Sequence, residues 1–209
     1  AARVLWNAGV RPGDHVAILS ENRPEWLYAD LGAQGLGARS VGIYQTNPPT
    51  DVAYIVNHCG ANVICCEDQE QVDKILEIAE ETPNLHTVLV FDPRGTREYD
   101  DRRLRSWSKA ITAAKAELSD APSWFDDAIA DRDPDEPAMV VYTSGTTGEP
   151  KGALLSNRNA LSLIEGVLQT LRIRGGDHIL SYLPLCHVAE KIFSLFVPLT
   201  TANVVHFGE

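Results

Sequence analysis

Tyr142-Thr143-Ser144-Gly145-Thr146-Thr147-Gly148-Glu149-Pro150-Lys151-Gly152 is the stretch of sequence that is most informative about the fold. It combines four serine and threonine hydroxyls with three glycines and one lysine. The strand-like Ala138-Met139-Val140-Val141-Tyr142 precedes it and the apolar Ala153-Leu154-Leu155 follows. Glycines let the backbone turn tightly and direct its N–H groups inward, while hydroxyls and an ammonium group add further donors. The pattern therefore predicts a loop that binds phosphate oxygens.

This loop differs from the common nucleotide-binding loop, which has the pattern Gly-x4-Gly-Lys-Ser/Thr. Here Pro150 precedes Lys151 and Gly152 follows it, so no hydroxyl residue stands beside the lysine to hold a metal ion. The alternative interpretation is a solvated Ser/Thr/Gly hairpin loop without a ligand.

The string resembles the signature loop of the adenylate-forming enzymes, which include acyl-CoA synthetases, aryl-CoA ligases, luciferases and peptide-synthetase adenylation domains. Two further segments extend the resemblance in the order of the family. Arg11 to Asn22 is similar to an early strand and turn, and Ser181 to Lys191 is similar to a core motif in its long-chain fatty acyl-CoA synthetase form. Lys191 departs from the arginine expected in many long-chain members, which keeps the charge but loses the planar fork of donors.

The resemblance implies a two-step reaction that uses ATP, Mg²⁺ and coenzyme A. A carboxylate attacks the α-phosphate of ATP, and the thiol of coenzyme A then attacks the acyl-adenylate. It names Lys151 and His187 as catalytic residues and Thr143 as the residue on the metal side. The residues implied to hold the phosphates are Thr143, Ser144, Gly145, Thr146, Thr147, Gly148 and Lys151.

His187 has several interpretations. A metal ligand is disfavoured because no second His or Cys lies at ligand spacing. A role in nucleophilic catalysis lacks an identified partner, since Cys186 is adjacent in sequence but is expected to point elsewhere. The resemblance implies that His187 lines the acyl tunnel and contacts the reacting carboxylate, and a purely structural role is the remaining alternative. The other five histidines are interpreted as structural, namely His15, His58, His86, His178 and His206.

The helix predicted after His187 carries the apolar residues Ile192, Phe193, Leu195 and Phe196. Core packing is the first interpretation of these four side chains. The alternative is that some of them wall a fatty-acid channel, as an apolar substrate requires.

Strand and helix patterns alternate along most of the 209 residues, which predicts an α/β fold with mainly parallel sheets covered by helices. This architecture is implied to be part of the large N-terminal domain of an adenylate-forming enzyme. The predicted strands are 15–19, 40–44, 62–66, 87–91, 138–142, 178–183 and 202–207. The predicted helices are 1–8, 24–35, 49–59, 69–80, 104–118, 157–174 and 188–196.

The charge distribution argues against one class of partner and locates a linker. Eighteen basic and 29 acidic residues give a net charge of −11, which argues against nucleic acid as a partner. Residues 119–137 contain seven carboxylates and three prolines, so they predict an exposed acidic linker. No glycine turn gives these carboxylates the spacing of a calcium loop. The predicted division is a first βα lobe (1–118), the linker (119–137) and a phosphate-loop lobe (138–209).

Four cysteines without a Cys-x-x-Cys pair indicate buried free thiols in a reducing compartment. Cys65 and Cys66 are adjacent in a predicted strand and should face opposite sides of the sheet. The sequence has neither a membrane-spanning segment nor a signal peptide, so the expected location is cytoplasmic, with peripheral membrane contact left open.

The chain is expected to be an incomplete N-terminal AMP-binding domain, because it opens with Ala1 inside a predicted helix and stops after a predicted strand. The family's Tyr-Gly-x-Thr-Glu and Thr-Gly-Asp strings and its C-terminal domain are absent from these residues. The expected function of the parent protein is a long-chain fatty acid–CoA ligase, with the isolated chain inactive. The alternatives are an aryl- or short-chain-acid CoA ligase and a non-catalytic nucleotide-binding module.

Overall fold

The computed structural model describes residues 1–143 and 149–208. Its centre is a seven-stranded sheet with the strand order β5-β4-β3-β1-β2-β6-β7. Adjacent strands are parallel except for β7, which is antiparallel to β6. The predicted α/β class with a mainly parallel sheet is therefore confirmed. The strands of this sheet are β1 His15–Leu19, β2 Arg39–Ile43, β3 Val63–Cys66, β4 Thr87–Val90, β5 Leu104–Ser106, β6 Pro137–Thr143 and β7 Lys151–Ser156.

Helices pack on both faces of the sheet, as continuous apolar strands require. The helices are α1 Ala2–Asn7, α2 Pro24–Gly35, α3 Pro49–Cys59, α4 Gln69–Glu77, α5 Trp107–Ser119, α6 Trp124–Ile129 and α7 Asn157–Thr170. One buried cluster joins the sheet to α1, α2 and α5, and another joins it to α3 and α4. Cys65 belongs to the first cluster and Cys66 to the second, which confirms that neighbouring thiols face opposite sides.

A smaller unit follows α7. It contains the parallel strands β8 His178–Ser181 and β9 Val204–Phe207, which form a two-stranded sheet. Between them lie α8 Val188–Lys191, a π-helix Ile192–Phe196 and α9 Val197–Thr201. A third buried cluster, which includes Met139 and Ile164, joins this unit to β6 and α7.

Several predicted boundaries were wrong. The helix predicted over 104–118 begins only at Trp107, because residues 104–106 form the edge strand β5 and Ser106 caps the helix. The helix predicted over 157–174 ends at Thr170, since the backbone of Leu171 is extended. The single helix predicted over 188–196 is α8 followed by the π-helix, and α9 continues directly after it to Thr201. Pro198 has no N–H for the carbonyl four residues earlier, so a regular α-helical ladder cannot run through it.

The acidic segment 119–137 is exposed at all seven of its carboxylates. It also contains the short helix α6, where the Trp124 ring lies edge-on to Trp6 at 5.8 Å and beneath the guanidinium of Arg3. The seven-stranded sheet includes strands from both sides of this segment, so the division into lobes stays a prediction about the organisation of the chain. In the part of the chain described, no helix is long and apolar enough to cross a bilayer.

Candidate functional site

A cleft of about 440 Å³ opens where β2 and β6 end. These parallel neighbours finish at the same edge of the sheet, and ligands of open α/β sheets bind outside the carboxyl ends of the strands. The cleft brings Thr143 and His187 together, although they lie 44 positions apart in sequence. The residues that line it are Gly42, Tyr44, Asn47, Asp51, Ile55, Val141, Tyr142, Thr143, Pro150, His187 and Val188.

The predicted phosphate loop lies between β6 and β7 in sequence, and these two strands form an antiparallel hairpin. Thr143 ends β6 directly opposite Lys151, which begins β7, and both residues are exposed. Thr143 lines the cleft. Lys151 is paired with Thr143 across the hairpin and is not among the residues that line the cleft. The other predicted phosphate-binding residues fall outside the described part of the chain, namely Ser144, Gly145, Thr146, Thr147 and Gly148.

His187 is placed by the start of α8. Its Nδ1 accepts a hydrogen bond of 3.2 Å from the backbone N–H of Ala189, so the ring caps the helix at the wall of the cleft. Burial raises the pKa of the neighbouring Cys186 thiol to about 12, and such a thiol stays protonated at neutral pH. Cys186 is therefore a poor nucleophile for His187 to activate. Within residues 1–143 and 149–208, no group of three His, Cys, Asp or Glu residues is arranged to hold a metal ion.

The segment before His187 is fastened by Asn22. The amide of Asn22 donates to the hydroxyl of Ser181 at 2.9 Å and to the carbonyl of Leu183 at 2.6 Å. Its oxygen accepts from the backbone N–H of Leu185 at 2.9 Å. The two outer segments that carry the family resemblance are therefore in direct contact through one side chain.

Gly42 brings the same segment close to β2. A Cβ atom added at Gly42 would lie 2.7 Å from the Cα of Cys186, which is closer than real Cβ contacts. The glycine thus allows the backbone beside His187 to pack directly on the strand that forms the floor of the cleft.

Lys191 lies one helical turn after His187 and is almost completely buried. Its Nζ is 2.7 Å from Asp30 Oδ1 and 3.2 Å from the Ser40 hydroxyl, and it lies 5.0 Å from the centre of the Trp26 ring. Asp30 was missed by sequence reasoning. The signal for it was a carboxylate within the apolar helix α2, which requires a buried partner.

The apolar residues after Lys191 mostly pack inside the protein. Ile192, Leu195 and Phe196 are buried in the cluster with Met139, and Phe193 is exposed. Core packing is thus the better interpretation for three of the four residues.

A family model described as AMP-binding enzyme matches residues 1–208. The long-chain-fatty-acid–CoA ligase ACSBG2 of Xenopus laevis is 32% identical over 216 residues. This match covers 100% of the present chain and 28% of that ligase, so the chain spans less than a third of its relative's length.

Two solved structures share the fold. The inhibitor-bound N-terminal domain of FACL13 from Mycobacterium tuberculosis has a TM-score of 0.78 at 24% identity, covering 99% of this chain and 47% of that one. ATP-bound MatB from Rhodopseudomonas palustris has a TM-score of 0.77 at 26% identity, covering 100% of this chain and 38% of that one.

Proposed function

This chain belongs to the AMP-binding enzyme family, and from that premise we propose that its whole protein is a long-chain fatty acid–CoA ligase. In this proposal ATP and a long-chain fatty acid give an acyl-adenylate and pyrophosphate, and coenzyme A then takes the acyl group and releases AMP. The similarity to ACSBG2 supports the substrate class, and the similarity to a MatB structure that contains ATP supports the nucleotide.

The observation that carries the proposal is the cleft shared by Thr143 and His187. Adenylation builds negative charge on the phosphates while a carboxylate approaches the α-phosphorus. Catalysis of such a step consists mainly of positioning and of electrostatic stabilisation. A site for it must hold a phosphate-binding loop and a carboxylate-binding group side by side. In support of this, the cleft is lined both by Thr143, which precedes the predicted loop, and by His187.

We assign the phosphate contacts to the residues of the hairpin loop and its stems. Lys151 adds a positive charge opposite the leaving pyrophosphate, and His187 contacts the reacting end of the fatty acid. The full proposed phosphate-binding set is Thr143, Ser144, Gly145, Thr146, Thr147, Gly148 and Lys151.

Magnesium enters this proposal together with ATP. Mg²⁺ prefers oxygen ligands and is commonly held by one or two protein groups together with substrate phosphates. The cleft offers the hydroxyl of Thr143 and the carboxylate of Asp51, so its donors suit this ion. When bound, the ion would neutralise charge on the phosphates, and Thr143 is the residue proposed to face it.

We further propose a cytoplasmic location with peripheral contact to a membrane. All four cysteines are free thiols, as is usual in a reducing compartment. Long acyl chains partition into membranes, since each buried methylene contributes about 0.8 kcal/mol.

The test is pyrophosphate release and acyl-CoA formation by the full-length protein with a panel of carboxylic acids. We expect kcat/KM to rise steeply with chain length from acetate to long-chain acids, because each added methylene contributes about 0.8 kcal/mol until the channel is full. Equal kcat/KM for acetate, benzoate and a long-chain acid would reject the substrate class. Absence of ATP-dependent pyrophosphate release with every acid would reject the activity.

A further inference from the structure

Helix α3 directs two ring side chains toward the base of the β6–β7 hairpin. Tyr54 and His58 are four residues apart, so they lie on the same face of the helix one turn apart. Their rings are stacked with centroids 5.4 Å apart and an interplanar angle of 23°. The pair therefore forms one continuous surface against the hairpin.

Each of the two residues contacts a different stem of the loop. The Tyr54 hydroxyl donates a hydrogen bond of 3.0 Å to the carbonyl of Pro150, the residue before Lys151. The Nδ1 atom of His58 lies 2.7 Å from the hydroxyl of Tyr142, the residue before Thr143. One helix face thus holds the chain where it enters the loop and where it leaves it.

The hairpin is shaped for this contact. Tyr142 lies opposite Gly152, and a Cβ atom added there would be 2.8 Å from Val140 Cγ1 and 3.3 Å from the Tyr142 ring. The absence of a side chain at Gly152 leaves room for the tyrosine ring across the stem. Burial raises the pKa of Tyr142, so its hydroxyl remains protonated and can donate to His58.

We propose that Tyr54 and His58 are positioning residues that fix both stems of the phosphate loop, and thereby the backbone of Thr143 and Lys151, for ATP. This inference rests on the proposed function. It deepens that proposal by assigning an indirect, positioning role in ATP binding to two side chains on a helix outside the loop. Neither residue needs to touch the nucleotide, because each acts through the stem residue that it holds.

The experiment uses the full-length enzyme and three substitutions with different chemistry. Tyr54→Phe removes one oxygen and keeps the stacked ring. His58→Leu removes the ring nitrogens, and His58→Asn places an amide near the position of Nδ1 as the conservative rescue. The matched control is Asn57→Ala, which removes the 2.9 Å hydrogen bond from the same helix to the carbonyl of Glu81, away from the hairpin.

Pyrophosphate release gives kcat and KM separately for ATP and for the fatty acid, and thermal melting reports stability. Tyr54→Phe and His58→Leu should each lower kcat/KM for ATP about threefold to tenfold, the effect of losing one hydrogen bond, mainly through a higher KM. The KM for the fatty acid should stay within about twofold, and His58→Asn should recover most of the ATP effect. Asn57→Ala should lower the melting temperature without changing the KM for ATP.

Two outcomes would overturn the inference while leaving the proposed function intact. One is an active enzyme whose KM for ATP is unchanged in Tyr54→Phe and His58→Leu. The other is a loss of activity that Asn57→Ala reproduces, since that would reflect general destabilisation. A wild-type protein that releases no pyrophosphate with any acid would instead reject the proposed function and this assignment with it. If His58→Leu does not fold, Tyr54→Phe still decides the question, because it removes a single atom.

Discussion

Lys191 and Asp30 form an ion pair of 2.7 Å in the interior, with side-chain exposures of 2% and 0%. The second oxygen of Asp30 accepts a hydrogen bond of 2.9 Å from Gln34, so both carboxylate oxygens have partners. The pair ties α8, which His187 caps, to helix α2. Charges buried this completely are tolerated only when they are paired and hydrogen-bonded.

Lys191→Met should destabilise the protein by about 3–5 kcal/mol, because it leaves the buried carboxylate of Asp30 without a partner. The double substitution Asp30→Asn/Lys191→Met should cost less than Lys191→Met alone, since it removes the lone charge. Urea denaturation of the full-length protein measures both effects. Lys109→Ala, at an exposed lysine on α5, is the control and should change stability by less than about 0.5 kcal/mol. A loss no larger than that of the control would show that the pair is unimportant for stability.

Lys151→Ala should slow adenylation by about 10²–10³-fold, because it removes a positive charge opposite the leaving pyrophosphate. The measurement is kcat for pyrophosphate release by the full-length enzyme. Lys109→Ala again serves as the control, since it removes an exposed lysine far along the chain from the loop. Release at the wild-type rate by Lys151→Ala would exclude the proposed role of this lysine.

Gly42→Ala should lower stability by about 1–3 kcal/mol, as overpacking of a well-packed interior does. The added methyl would meet the backbone of Cys186 at 2.7 Å, and it should therefore also displace His187 and reduce kcat/KM for the fatty acid. Gly166→Ala is the matched control. It lies in α7 with no atom within 4 Å of the added carbon, so it should stabilise the protein by about 0.5–1 kcal/mol. Equal stability of the two variants would refute the close-packing argument.

The stability of the protein should fall as the pH rises above about 8.5, the pKa of an unperturbed thiol. Burial raises the pKa of Cys59 to about 11 and that of Cys186 to about 12, and it raises those of Cys65 and Cys66 as well. A raised folded-state pKa gives stability that is present below the unfolded pKa and is lost as pH approaches the folded value. Denaturation midpoints between pH 8 and 11 measure this effect. Cys186→Ala should show a shallower decline than wild type, and an identical slope would exclude a contribution from this thiol.

Local patterns predicted much of the fold. The bounds of β1 and α2 agree with the prediction, because each element carries its own signals. β1 is a short apolar run and α2 begins with Pro24 in its first turn. The edge strand β5 was not predicted, and the predicted helix start at residue 104 was wrong, because three residues carry too little periodicity to distinguish a strand from the start of the helix that follows.

The site was only partly predictable for a different reason. Thr143, Lys151 and His187 were named from their motifs, and their proposed roles remain predictions. Asp30 could not be paired with Lys191, 161 positions later, because the residues around each of them do not specify so distant a partner. His58 was assigned a structural role, and its contact with Tyr142 likewise joins residues 84 positions apart.

The buried ion pair also constrains how this sequence can diverge. A lineage that replaced Lys191 with an uncharged residue would leave a carboxylate stranded in the interior, and one that replaced Asp30 first would strand the ammonium group. Either order of substitution passes through a less stable intermediate protein, whereas an exchange of lysine for arginine conserves the charge at every step. The two positions are therefore expected to covary among homologues, with Lys and Arg interchanging at 191 only where an acid is retained at 30.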